Sequence, residues 1–178
     1  RAGVASRSST IVAGPHGRLW LTSPDDDTVV EVSASTLDVG RRIGVEGSPA
    51  ELTRIGDRLL VTGSRATDLT VIDLAGARPS VAAIALPCGG SRSVVAVPAG
   101  TASMAHDVAV VTCPTDDLVV IVDLRRGTAV AQLEVAGRPS GVVSDGTSLT
   151  VSSAVGGALR TWALHDLAAA LGPDPRPR

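Results

Sequence analysis

The chain has no lysine, asparagine, phenylalanine or tyrosine, and carries only two tryptophans, two cysteines, one methionine and three histidines in 178 residues. All 16 basic residues are therefore arginine. The four missing types share AT-rich codons, so the composition predicts a bacterial source with a GC-rich, actinobacterial genome. Without Phe and Tyr, a core must come from Val, Leu, Ile, Ala and the two Trp, and β-branched side chains of this kind favour a pleated surface. A large excess of charge of either sign is missing too, with 16 Arg against 18 Asp and Glu. The net charge of −2 and pI near 5.9 leave no electrostatic footprint for nucleic acid or an anionic membrane. No apolar run approaches the roughly 18 residues of a membrane-spanning helix. The first ten residues, RAGVASRSST, hold neither an initiating Met nor the apolar centre of a signal peptide, and read as part of a processed or excised piece of something longer.

Catalytic motifs are also scarce. There is no G-x-S-x-G elbow, no G-x-G-x-x-G and no phosphate-binding P-loop spacing. Cys113 precedes Pro114 and has no His that the sequence identifies as its base. No catalytic residue, metal ligand or cofactor is assigned on this basis. Cys88 and Cys113 read either as a disulfide in an oxidising compartment or as two small apolar residues at strand ends.

What the sequence does contain is a repeat. Four segments, IVAGPHGRLWLTSPDDDTVVEVS from residue 11, GSPAELTRIGDRLLVTGSRATDLTVIDL from 47, GGSRSVVAVPAGTASMAHDVAVVTCPTDDLVVIVDL from 89 and GRPSGVVSDGTSLTVSSAVGGALRTWAL from 137, share one order: strand, polar turn, strand, polar turn, strand. Their third strands end at Ser33, Asp73, Asp123 and Ala163, at spacings of 40, 50 and 40. The longer interval holds an insert, PAGTASMAH at 98–106. A period of about 40 to 45 residues with four strands per unit predicts an all-β fold, a β-propeller of about four blades. Leu118 to Val122 is apolar on both faces, as a strand between neighbouring blades must be, whereas AVAQLEV at 129–135 alternates like an outer strand. Helical windows between the strands, which an α/β fold requires, are missing before residue 164.

The expected organisation is an extension or stray strand at 1–10, blades at 11–48, 49–90, 91–138 and 139–164, and a short helix or outer strand with a Pro/Arg tail at 165–178. Trp20 and Trp162 are expected to bury large surfaces between blades. Four blades can close alone, pair with a second copy, or form part of a longer polypeptide; the last two are favoured, because an open stack exposes an apolar face at each end.

The runs TVVEVS, LTVIDL and LVVIVDL, each followed by a turn, an outer strand and GSP, GGS or GRPS, resemble the YVTN-type β-propeller repeat. GPHGRLWLTSPDDDTVVEV is similar to the blades of streptogramin lyases. The terminal Asp typical of the third strand is replaced by Ser33 and Ala163 in the outer units, as in atypical terminal repeats. The resemblance implies a non-catalytic module for protein interaction, ligand binding or sensing within a larger bacterial protein, with a protein partner, a second propeller copy or a small ligand as its counterpart. It also allows a metal-dependent, lyase-like enzyme whose site needs a complete ring, or a subunit that docks a redox partner, as propeller subunits of amine dehydrogenases do. By family habit an extracytoplasmic or secreted location follows.

On the repeat map, the turns between strands two and three share one face with the loops joining blades. That face gathers Asp25, Asp26, Asp27, Asp68, Asp116 and Asp117 beside Arg92 and Arg138. Two readings stay open there: a rim that recognises a partner or a hard cation, or turn-building, solubilising carboxylates. His16 and His106 map to the opposite face, as metal or proton carriers or as inert loop residues.

Overall fold

The computed structural model describes residues 6–7 and 9–171, and the side chains from residue 9 onward. Most of the expected N-terminal extension, and the Pro/Arg tail, lie outside the described residues. The fold is an all-β propeller arrangement of four antiparallel four-stranded sheets.

Blade 1 consists of β2 (Ile11–Ala13), β3 (Arg18–Ser23), β4 (Thr28–Ser33) and β5 (Val39–Gly44), in that order from the inner edge, following a short β1 (Ser6–Arg7). Blade 2 runs through β6 (Pro49–Ile55), β7 (Arg58–Gly63), β8 (Asp68–Asp73) and β9 (Ser80–Ala85). Blade 3 is built from β10 (Val94–Val97), β11 (Val108–Cys113), β12 (Leu118–Asp123) and β13 (Thr128–Glu134). Blade 4 has only three strands in the repeat order: β14 (Pro139–Ser144), β15 (Ser148–Ser153) and β16 (Leu159–Ala163). Its fourth strand is β1, which pairs with β14 at the inner edge, and helix α1 (Leu164–Leu171) stands where an outer strand follows in the other blades.

The burial pattern follows from the sequence. β11 is buried along its whole length, because its side chains alternate between two neighbouring blades and both faces are covered. β13, at the rim of the same sheet, alternates between exposed and half-buried positions. Three aliphatic clusters lie in the three spaces between successive blades. Trp20, Val29, Leu52, Leu59 and Ile72 join blades 1 and 2. Leu60, Leu69, Val94, Ala109, Val111 and Val120 join blades 2 and 3. Val95, Val110, Val119, Val142, Leu149 and Val151 join blades 3 and 4. Among the described residues, no cluster joins blade 4 to blade 1.

Two features cap this arc. The insert forms a short 3-10 turn at Thr101–Ser103, and Ala102 and Met104 pack with Leu164 and Leu167 of α1 against the core between blades 3 and 4. At the inner edge, Ser9 N–H donates to Leu52 O (3.2 Å) and Leu52 N–H to Ser9 O (2.8 Å), so the segment entering blade 1 touches blade 2 just after β1 has paired with blade 4.

The two faces of blade 4 differ in consequence. Leu149 points into the core shared with blade 3, whereas Val143 lies on the outer face and is 51% exposed. Leu149→Ala is expected to cost about 2–5 kcal/mol, and Val143→Ser less than about 0.5 kcal/mol, as read from the urea midpoints of the two variants.

Candidate functional site

Each loop that joins one blade to the next passes over the turn between strands two and three of the preceding blade. The same backbone bond recurs at each step: Val45 N–H to Asp27 O (2.8 Å), Leu86 N–H to Thr67 O (2.9 Å) and Val135 N–H to Asp117 O (2.8 Å). Asp27 and Asp117 close their turns in the left-handed region, at φ 50° and 54°, a conformation that Asp tolerates because its short polar side chain bonds locally. From there Asp27 Oδ1 accepts the Ser48 N–H, and Asp117 Oδ1 the Arg138 N–H, both at 2.7 Å. Asp116 Oδ2 accepts the Gly89 N–H at 3.0 Å. Three of the rim carboxylates thus hold loop backbone between neighbouring blades.

The loops are tight. Gly47 (φ 85°) and Gly137 (φ 92°) adopt positive φ, and an added Cβ would sit 2.6 Å from the Ala66 Cβ or 2.7 Å from the Val155 O, so only glycine fits. Of the remaining rim carboxylates, Asp26 Oδ2 accepts the Ser23 hydroxyl (3.0 Å) and lies 3.6 Å from Arg42. Asp25 is exposed in the same turn, and Asp68 is half-buried at the start of β8.

Arg92 and Arg138 are brought together. They line one cavity of about 570 Å³ on this face, with Glu51, Ser64, Ser91, Thr115, Ser140 and Ser152. Register shifts within Pro49–Leu52 and Pro139–Gly141 place irregularities at the start of the inner strands of blades 2 and 4. Such bulges re-aim side chains, and Glu51 and Ser140 lie within them. The buried Thr62 hydroxyl accepts the Glu51 N–H (3.1 Å) and donates to the Arg92 O (2.6 Å), locking these two wall residues across the blade boundary. Beneath, Ser93 N–H donates to Thr112 Oγ1 (3.0 Å), and Gly63 N–H to Ser91 Oγ (3.2 Å). A disulfide joins Cys88, in the loop between blades 2 and 3, to Cys113 at the end of β11, just below Pro114 and Thr115. Glu51 was not singled out from the sequence. The available signal was its position two residues after Pro49, where the fourth unit has Gly141.

The opposite face separates the two loop histidines. His16 (φ 56°) lines a cavity of about 350 Å³ with Arg18, Trp20, Glu31, Arg41 and Asp57. His106 lines another, beside Asp107, which accepts from Arg58 at 2.6 Å and from the Ala99 N–H at 2.9 Å. Among the described residues no three His, Cys, Asp or Glu side chains converge in a way that would hold a metal ion. In the first cavity Glu31 is only 4% exposed, and it bonds Arg41 at 2.5 Å and Arg18 at 3.3 Å. The Arg41 hydrogen bond, reinforced by the charges of Arg41 and Arg18, holds the Glu31 carboxyl below the usual range despite the opposing effect of burial. Arg41 also lies over the Trp20 ring, 5.8 Å from its centre.

No family model and no curated protein matches the sequence. Among solved structures, the chain superposes on hydrazine synthase of Kuenenia stuttgartiensis with a TM-score of 0.71 at 19% identity, over 88% of this chain and 46% of that one. It superposes on the dihydro-heme d1 dehydrogenase NirN, solved in complex with DHE, with a TM-score of 0.69 at 15% identity, over 91% of this chain and 36% of that one. At such identities the likeness shows the fold, a β-propeller. The chain spans less than half the length of either.

Two expectations follow. The disulfide closes a sequence separation of 25 residues, so replacing Cys88 and Cys113 by Ala should cost about 3 kcal/mol, measured by denaturation of variant and parent without reductant. Glu31 is held below its unfolded pKa of 4.5, so its stabilisation is complete above that value and is lost as the pH falls through the lower folded value. Glu31→Gln should lower stability at pH 7 and flatten the acid limb of the stability profile below pH 4.5.

Proposed function

We propose that this chain is a non-catalytic recognition module of YVTN-type repeats: four blades of a larger bacterial propeller, which complete a ring by packing against a second copy. The observation that carries this reading is the outer face of blade 1. In its sheet, Val12, Trp20, Val29 and Ile43 turn toward blade 2. The rungs between them run Ile11–Leu21–Val30–Arg42 and Ala13–Leu19–Val32–Val39, a surface aliphatic except for Arg42 at its outer edge and similar to those covered between every other pair of blades. Ile11 is 43% exposed and Val39 58% exposed.

A second copy fits this surface for three reasons. Each chain has two open ends, so a head-to-tail pair satisfies both by one two-fold rotation and leaves no further face uncovered. Four blades from each copy give eight, within the range of about 4 to 8 that propellers adopt. A blade face of four strands spans roughly 300–400 Å², and two such faces per chain approach the ~800 Å² per partner of a stable interface. Blade 4 offers Val143 and Leu159 among Ser and Thr on its outer face, where Thr150 and Thr161 hydroxyls bond each other at 3.0 Å.

Sedimentation analysis over a concentration series tests this. The chain is expected to dimerise, and Leu21→Asp combined with Val39→Asp to leave a folded monomer. A parent that remains monomeric at all concentrations, or a double variant that dimerises as the parent does, overturns the reading; blades supplied by a longer polypeptide then become the explanation to test.

A further inference from the structure

We infer that the axial cavity walled by blades 2, 3 and 4 binds a small oxyanion, a carboxylate or phosphate group, gripped between the guanidinium groups of Arg92 and Arg138. The residues that line it belong to blades 2, 3 and 4 and to the loops entering blades 3 and 4.

Five arginines elsewhere in the fold are paired with carboxylates. Arg18, Arg41, Arg42, Arg58 and Arg126 each have a carboxylate oxygen within 4 Å, at 3.3, 2.5, 3.6, 2.6 and 3.7 Å. Arg92 and Arg138, both exposed, have no side-chain hydrogen bond or ion pair among the described residues, as is also true of Arg65, Arg78 and Arg160; what sets the first two apart is that they line one shared cavity. Their backbones, by contrast, are pinned. Arg92 N–H donates to Thr112 O (3.0 Å), and its carbonyl accepts from Thr62. Arg138 sits at φ 60° with its N–H on Asp117 and its carbonyl accepting the Ala154 N–H at 3.0 Å. Two cationic forks are thus anchored at their bases with their donors unspent, the arrangement that recognises planar or tetrahedral oxyanions.

The remaining wall sets the class of ligand. Ser140, Ser152 and Thr115 add hydroxyl donors, and the volume of about 570 Å³ lies in the range of small-molecule sites. Glu51 brings the only negative charge among the lining residues, so the cavity carries a net charge of about +1. It therefore suits one anionic group and disfavours a second on the Glu51 side. The net charge of the chain, −2, opposes an extended polyanion such as nucleic acid.

Calorimetric titration of the whole chain with succinate and with inorganic phosphate, in dilute chloride buffer, tests the site. Saturable binding of at least one probe is expected, and whichever binds identifies the group as carboxylate or phosphate. Arg92→Gln and Arg138→Gln should each weaken that binding about tenfold. Arg138→Lys keeps the charge without the fork and should fall between parent and Gln variant. Glu51→Gln should tighten binding several-fold, and Arg78→Gln, on the exposed turn before β9, should change nothing. Failure of both probes to saturate, or affinities unmoved by Arg92→Gln and Arg138→Gln in variants that keep the parent's circular dichroism, overturns the inference.

Discussion

Everything in this molecule depends on one sheet face covering another. A strand such as β11 or β12 is aliphatic on both sides and has no stable existence in a sheet wetted on either. With no Phe or Tyr to fill space, the blades interlock through Val, Leu and Ile in three interblade cores, supplemented by Trp20 where blade 1 meets blade 2. Stability is therefore built from nearest neighbours, as in other repeat architectures. The same logic makes the ends the exceptional places. Blade 4 is trimmed by α1 and the insert and bears Ser and Thr on its outer face, while blade 1 keeps an aliphatic one.

Polar groups then fix how the covered sheets are oriented. At the axial face, Asp27, Asp116 and Asp117 each tie a loop to a turn of the neighbouring blade, and Thr62 links Glu51 to Arg92 across another boundary. These carboxylates accept N–H groups that would otherwise lack partners in tight, left-handed loops. Of the two arginines that line the cavity on this face, Arg138 has its backbone held by the Asp117 carboxylate and Arg92 by Thr112 and Thr62.

Much of the architecture was legible because the repeat writes itself in β-branched runs. The ends of the third strands at Ser33, Asp73, Asp123 and Ala163 are where the sheets place them, since Val-rich runs stop where turn residues begin. The insert at 98–106 was visible as extra length, but its packing against α1 was not. Met104 meets Leu164 and Leu167 across about 60 residues, and no local pattern encodes such a contact. Likewise, an Asp run announces a turn without saying whether its oxygens face solvent, a ligand or an N–H. The equal separation of 21 residues from Asp27 to Ser48 and from Asp117 to Arg138 held that information, yet it becomes meaningful only once the left-handed turns are known. β1 was harder still, because two residues pairing at an inner edge carry no periodic signal.

The claim that covered faces hold the molecule together, and that the outer face of blade 1 is the one left wanting a cover, is tested most directly by amide hydrogen exchange at low and high protein concentration. The account predicts the strongest protection in β7, β11 and β12 at both concentrations, with β3 and β4 weakly protected when dilute and markedly slower to exchange when concentrated. Uniform protection across all four blades, unchanged by concentration, would contradict it.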